Sequence, residues 1–386
     1  MTGSTSDGVD PQYIKKRRRV ALAVERAFIA LVNLGRSPSD TPPEASAVRR
    51  ILVIRHNHLG DAVASSPFIA AIRQKWPAAE VEVLAGPANK DAFAWVDGIS
   101  AIHVRPRRLL ERYRLYGSLR NRYDLVFQTL IDEHYFKRAL AARCIAGRGI
   151  AVGRKRGSPL ERLFDRAIYM PSGSYVGKLM ALLTPFGRES VADWIRAQPR
   201  HCITLPSAAH DRAHRVLQDA GIAERSYVVL NISARMAFRE LGVEQAVRLA
   251  EACTAEGLPV VLLHGPHDRQ RAEQVAARAP QAVVPPAMEL APAMALAQHA
   301  RLYLGADTGT AHFAAAGGVP CVVLFADRAK PEAWSPYGVP FASIQANLGQ
   351  PVSEIDPAVV VEHLNRLLSG ETLHRIVRTT PKHYPA

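Results

Sequence analysis

The stretch Ile51-Leu52-Val53-Ile54-Arg55-His56-Asn57-His58-Leu59-Gly60-Asp61 decides the fold. Four consecutive branched apolar residues suit a short buried strand, the kind that fills parallel sheets. The chain then turns through a polar loop with a glycine, and a helix runs from about Asp61 to Lys75. Strand, loop and helix in that order open a βα unit. Further strands read at Val81–Leu84, Ala101–Val104, Leu125–Gln128 and Ile150–Val152. The pattern restarts at Tyr227–Leu230 and continues through Val260–Leu263, Val283-Val284, Leu302–Leu304 and Val322–Leu324, with helical segments between. Two βα arrays, parting near residues 200–210, predict an α/β protein of two doubly wound, Rossmann-like domains. Ligands in such sheets sit at the carboxyl ends of strands, here in a cleft between the domains.

The expected division is 1–47 for a basic amphipathic N-terminal helix and linker, 48–205 and 206–352 for the two domains, and 353–386 for a C-terminal helix and tail. The N-terminal helix reads from Lys15-Lys16-Arg17-Arg18-Arg19 through an apolar run to Val32. It is too short to span a bilayer. Two uses fit it: lying on an anionic inner-leaflet membrane surface, or packing on the first domain.

Composition narrows the class. The chain has 386 residues, 48% hydrophobic and 22% charged, which describes a soluble globular protein with sizeable cores. No apolar run reaches ~18 residues, so an integral membrane protein is excluded. Met1–Asp10 is polar and lacks a signal-peptide core, which points to the cytoplasm. Cys144, Cys202, Cys253 and Cys321 are scattered without CxxC or Cys/His ligand spacing, which argues against zinc and fits a reducing compartment. The net charge of +14 is lopsided. Residues 51–200 hold 24 Lys/Arg against 13 Asp/Glu, whereas residues 201–386 hold 16 against 17. A field of that shape points to an anionic partner for the first half. Arg105, Arg107, Arg108, Arg112, Arg114, Arg120 and Arg122 fall within eighteen residues there, either as a solvated helix face or as a basic acceptor surface.

Four segments carry chemistry. Asp61, after the first strand, can cap the helix it begins or act as a general base at the strand end. Gly305-Ala306-Asp307-Thr308-Gly309-Thr310-Ala311-His312 is a strand end, a glycine turn and a small-residue helix start. It is either a structural turn or a place where backbone N–H groups approach a phosphate. Asn231–Arg239 puts Ser233, Arg235 and Arg239 after the first strand of the second array. The two arginines are either solvated or bidentate phosphate contacts. His264-Gly265-Pro266-His267-Asp268 is a turn at another strand end. No GxxxxGK[ST] and no strand-linked GxGxxG is present, so ATPase and NAD-dehydrogenase readings lack support.

In order and together, these segments resemble glycosyltransferase family 9, the lipopolysaccharide heptosyltransferases. Ile51–Pro67 is similar to that family's opening strand and Leu/Met-Gly-Asp turn. Gly305–Pro320 is similar to its nucleotide-sugar signature, and Asp327–Gly338 to its closing stretch. The resemblance covers about residues 50–370. It implies a GT-B fold: an N-terminal acceptor domain and a C-terminal donor domain facing a cleft. It implies an inverting, metal-independent transfer of heptose from ADP-heptose to the anionic Kdo–lipid A inner core or a growing core, with no cofactor. By the same resemblance Asp61 is the base. Ser233, Arg235, Arg239, Asp307, Thr308, Gly309, Thr310 and His312 belong to the donor side, with Met288 against the adenine and Asp268 near the ribose. Asn57, His58, Gly60, Arg105, Arg107, Arg108, Arg120 and Arg122 belong to the acceptor side. The chain departs from the family in two places. Arg239-Glu240-Leu241 replaces a Lys followed by Arg/His-Trp, and Asn57 and His58 stand around the positions of two serines. A lipid-borne acceptor adds the expectation of a peripheral position on the inner membrane. Other readings are a different nucleotide sugar on the same fold, a non-catalytic nucleotide-sugar scaffold, and a nucleic-acid binder. The last rests on a pI of 9.9 and has no reader motif behind it.

Overall fold

In a computed structural model, described over residues 43–130, 135–157, 159–197 and 199–379 with Ala27 and Ala30, the apolar runs pair into two all-parallel sheets. The expected N-terminal helix and most of its linker lie outside the described residues. The first sheet comprises β1 (Arg50–Ile54), β2 (Glu80–Ala85), β3 (Ala101–Val104), β4 (Leu125–Gln128), β5 (Ile150–Arg154) and β6 (Arg166–Ile168), in the order β3-β2-β1-β4-β5-β6. The second comprises β7 (Val228–Asn231), β8 (Val260–Leu263), β9 (Ala282–Val283), β10 (Leu302–Ala306), β11 (Cys321–Phe325), β12 (Phe341–Gln345) and β13 (His374–Arg378), in the order β13-β12-β11-β10-β7-β8-β9.

Each sheet winds outward in both directions from its first strand, which makes it doubly wound. Strand order reverses between β1 and β4 in one sheet and between β7 and β10 in the other. Loops diverge at such switch points and leave a crevice at the carboxyl ends of the strands. The helix that follows β1 carries Asp61 in its first turn, and the segments after β7 and β10 carry Arg239 and Asp307. The central strands are buried, apart from Arg50 at the start of β1, because helices cover both faces, so their side chains need no polar alternation.

The helix Leu59–Lys75 and the helix Gly309–Ala316 meet at their amino ends. A Cβ on Gly60 would stand 2.8 Å from the Gly309 Cα, so two glycines are what allow this approach. Trp95 meets Phe313 edge-on at 5.7 Å between ring centroids, and Tyr175 stacks on Trp334 at 4.7 Å. These contacts join both domains in one apolar cluster, from Phe68 and Tyr175 on one side to Ala311 and Phe313 on the other. Among the described residues, no helix is long and apolar enough to cross a membrane.

The tail expected within 353–386 is corrected: His374–Arg378 forms the seventh strand of the second sheet, paired with β12. Its sequence, His374-Arg375-Ile376-Val377-Arg378, has only two apolar residues and hides it, because an edge strand needs no continuous apolar run. The helix Pro357–Leu368, begun by Asp356 accepting from the Ala358 N–H at 3.0 Å, buries Val360 and Leu364 in that domain's own core. Residues 357–378 are thus part of the second domain's layers. Strands β6 and β12 were also not expected; β6 is three residues long and half-buried.

Candidate active site

Asp61 does both things its position allows. One carboxylate oxygen accepts the His58 backbone N–H at 2.9 Å, which caps the helix. The other pairs with the Arg55 guanidinium at 2.8 Å, with both side chains almost fully buried. Arg55 is held in turn by the Thr129 carbonyl at 3.4 Å, and its guanidinium lies 4.7 Å from the Tyr175 ring centre. A carboxylate locked this firmly has a single orientation toward the crevice.

The second domain supplies the facing wall. Arg239 reaches the Asp307 carboxylate at 3.3 Å. Burial pushes Asp307 up to about 6, and the Arg239 charge opposes that rise while Asp61 adds to it. Asn231, at the end of β7, donates to the Thr308 hydroxyl at 3.1 Å and to the Tyr303 hydroxyl at the same distance, which fixes the turn before Gly309. Arg235 crosses the gap to the His58 ring at 3.5 Å. Burial holds His58 below its ordinary value, and the neighbouring arginines act in the same direction against Asp61. The crevice thus gathers Asp61, His58, Gly60, Arg235, Arg239, Asp307, Thr308, Gly309, Thr310 and His312, with Asn57 in the same loop. Two helix amino ends and three guanidinium groups converge there, a setting that favours anions. Among the described residues, no set of three His, Cys, Asp or Glu donors converges at this crevice.

Ser233 and Asp268 join the neighbouring loops: the Ser233 hydroxyl donates to Asp268 at 2.6 Å and accepts the Gly265 N–H at 2.7 Å. Asp268 also pairs with Arg271 at 2.9 Å. Met288 is half-buried just before the helix Leu290–Gln298. The arginine run divides. Arg105, Arg107 and Arg108 follow β3 at the carboxyl end of the sheet, on the crevice side. The helix Leu109–Leu119 then carries the chain back along the sheet, so Arg120 and Arg122 lie at the amino end. There Arg120 donates to the Cys144 carbonyl at 3.0 Å and Arg122 faces Glu82 at 4.0 Å. The expectation that Arg120 and Arg122 share the acceptor surface is therefore corrected. An 11-residue helix spans about 16 Å, enough to separate residues that are neighbours in sequence.

Residues that sequence reasoning left unassigned complete the site. Arg55 and Asn231 stood inside the quoted motifs. Trp334 stood inside the closing stretch Asp327–Gly338 without a role, and Tyr175 and His201 gave no local signal, because their roles depend on cross-domain packing. A cavity of about 490 Å³ beside His312 is lined by Tyr175, His201, Trp334 and Tyr337 among others. Burial pushes both His201 and His312 down to about 4, so both rings are neutral at pH 7. Unfolded histidines bind protons near 6.5, so the stability these rings contribute is fully present above that pH and is lost as pH falls toward 4. Asp307 acts in the opposite sense, since its carboxyl regains protons below 6. With two rings against one carboxyl, the unfolding temperature is expected to fall between pH 6.5 and 4. His312→Gln should flatten that fall, as followed by circular dichroism; an unchanged slope would show that His312 does not titrate on unfolding.

Two Rossmann-like domains whose switch points face one another across a crevice make up the GT-B architecture. Solved structures agree on the fold. A glycosyl transferase family 9 protein from Veillonella parvula has a TM-score of 0.68 at 17% identity, covering 86% of this chain and 100% of its own. The E. coli heptosyltransferase WaaC, solved with ADP, has a TM-score of 0.64 at 18% identity, covering 82% and 99%. In sequence, lipopolysaccharide heptosyltransferase 3 of Escherichia coli is 26% identical over 284 residues, 69% of this chain and 80% of that protein. Residues 112–354 match the profile of glycosyltransferase family 9 (heptosyltransferase), a region that holds Arg239 and Asp307–His312 and begins after Asp61. The chain belongs to glycosyltransferase family 9.

Proposed function

We propose that this protein transfers a heptose from ADP-heptose to the lipopolysaccharide inner core, with inversion and without a catalytic metal. The observation that carries the reading is the locked Asp61 carboxylate facing the Arg239–Asp307 turn across the Gly60–Gly309 contact. The similarity to lipopolysaccharide heptosyltransferase 3 and to a heptosyltransferase solved with ADP supports the donor and acceptor class. Asp61 takes the proton of an acceptor hydroxyl as its oxygen attacks the anomeric carbon. The bond to the diphosphate breaks, and negative charge grows on the leaving ADP. Arg239, Arg235 and the N–H groups of the Thr308–Thr310 helix start meet that charge. Preorganised donors of this kind give a large share of rate enhancement because they need no reorganisation during the reaction. Arg105, Arg107 and Arg108, on the crevice side of the first sheet, receive the acceptor's phosphates and carboxylates.

The test is turnover of ADP-heptose with Kdo–lipid A or extended core acceptors, run with and without EDTA, against UDP, GDP and CMP sugars as competing donors. Product forming from ADP-heptose, undiminished by EDTA and with an inverted anomeric centre, is the expected result. Preference for another nucleotide sugar would move the donor assignment; strict dependence on added Mg²⁺ would overturn the metal-free chemistry. The basic segment 15–32 is proposed to hold the enzyme at an anionic lipid surface, where each Lys or Arg contributes ~1 kcal/mol. Flotation with anionic vesicles should be salt-sensitive and should disappear when residues 1–40 are removed; equal flotation of both forms would assign the contact elsewhere.

A further inference from the structure

At the other end of the second sheet, where the strands begin, four donor side chains converge. The helix Ser207–Asp219 carries His210 and His214 one turn apart, so both project from one face. Glu224 comes from the loop leading into β7, and His299 follows the last turn of the helix Leu290–Gln298. His214 Nε2 lies 3.2 Å from a Glu224 carboxylate oxygen, and the same oxygen contacts His299 Nδ1. The other nitrogen of that ring, His299 Nε2, lies 2.8 Å from His210 Nδ1. The donor atoms of His214, Glu224 and His299 all lie within 4.8 Å of one another.

We propose that His214, Glu224 and His299 bind a divalent transition-metal ion of the zinc class, with His210 orienting His299 from behind. Two imidazoles and one carboxylate suit zinc, cobalt, nickel or copper; magnesium and calcium take oxygen-rich sets. A tetrahedral ion ~2.0–2.2 Å from each ligand needs donor atoms about 3.3–3.5 Å apart, which small side-chain rotations supply here. The contact between His210 and His299 has a known use. When His299 Nε2 carries the proton and donates it to His210 Nδ1, the His299 Nδ1 lone pair turns toward Glu224, where it can ligate. Ligating histidines are generally held this way by a partner on their second nitrogen. His214 and Glu224 are exposed and leave a side open for water as a further ligand. The ion would clasp the helix Ser207–Asp219, the loop before β7 and the end of the helix Leu290–Gln298. The crevice with Asp61 and Asp307 lies at the opposite ends of the strands, so this site is separate from the transfer chemistry.

The experiment uses the untagged full chain, stripped with EDTA and dialysed, then titrated with Zn²⁺ by calorimetry and with Co²⁺ by visible absorption. One ion per chain, four-coordinate cobalt colour and a Zn²⁺-dependent rise in unfolding temperature are expected. His214→Ala and Glu224→Gln should each weaken Zn²⁺ binding at least a hundredfold, and His210→Ala about 10–100-fold with the stoichiometry kept. His214 is half-exposed, so its loss opens no core. Without any variant, zinc-edge anomalous diffraction from a Zn²⁺-soaked crystal should peak between His214, Glu224 and His299. No uptake by the wild type, wild-type affinity in both ligand variants, or an anomalous peak elsewhere would overturn the proposal.

Discussion

Asp61→Asn is expected to lower turnover by at least about a hundredfold while leaving ADP affinity unchanged. The amide can still accept the His58 N–H, so the helix keeps its cap. It cannot take a proton, and a positioned base is worth about 10²–10⁴-fold. The substitution also removes the charge opposite Arg55, and losing one partner of a buried pair is destabilising. Arg55 keeps the Thr129 carbonyl and the Tyr175 ring, so a lower unfolding temperature is expected rather than loss of the fold. Single-turnover transfer, calorimetry with ADP and thermal unfolding on the same sample separate these effects. Near-normal turnover in a folded variant would remove Asp61 from the base role, and His58 would be tested next.

The second large effect falls on donor binding. Arg239→Ala should weaken ADP by roughly tenfold to a hundredfold, since a hydrogen bond to a charged group contributes about 1.5–3 kcal/mol. Unchanged affinity would remove Arg239 from the diphosphate site. Its partner gives the effect a pH signature. Asp307 titrates at about 6, far above an ordinary carboxyl, because it is buried. Above that pH it is an anion that competes for Arg239 and repels a diphosphate. Below it, the carboxyl is neutral and Arg239 is released. ADP binding through this pair should therefore strengthen as pH falls from about 7.5 to 5.5. Asp307→Asn should remove that component, and titration of ADP itself cancels in the comparison of the two proteins. Equal pH dependence in both would show that Asp307 does not control Arg239.

Replacement at Arg120 or Arg122, by contrast, should leave transfer unaffected, because those side chains serve the amino end of the first sheet. This contrast shows where reading from sequence stops. Ile51–Ile54, Leu125–Gln128, Val260–Leu263 and Val322–Leu324 were legible as strands because burial on both faces demands unbroken apolar runs. From strands alternating with helices, two doubly wound domains follow, and so do loops at strand ends that carry Asp61, Arg239 and Asp307. The polar edge strand His374–Arg378 and the three-residue β6 were not legible, because pairing at an edge leaves little trace in side-chain pattern.

What the sequence by itself determined is local: which runs are strands, which glycines open turns, and which charged residues follow a strand. Only the tertiary structure decided that Arg55 faces Asp61, that Tyr175 lies beneath that pair, and that Gly60 touches Gly309. It also decided that Arg105, Arg107 and Arg108 part from Arg120 and Arg122 to opposite ends of a sheet, and that His214, Glu224 and His299 meet. The physical reason is range. Periodicity and turn chemistry act over a few residues, whereas Gly60 and Gly309 meet through strand order and the packing of two helices.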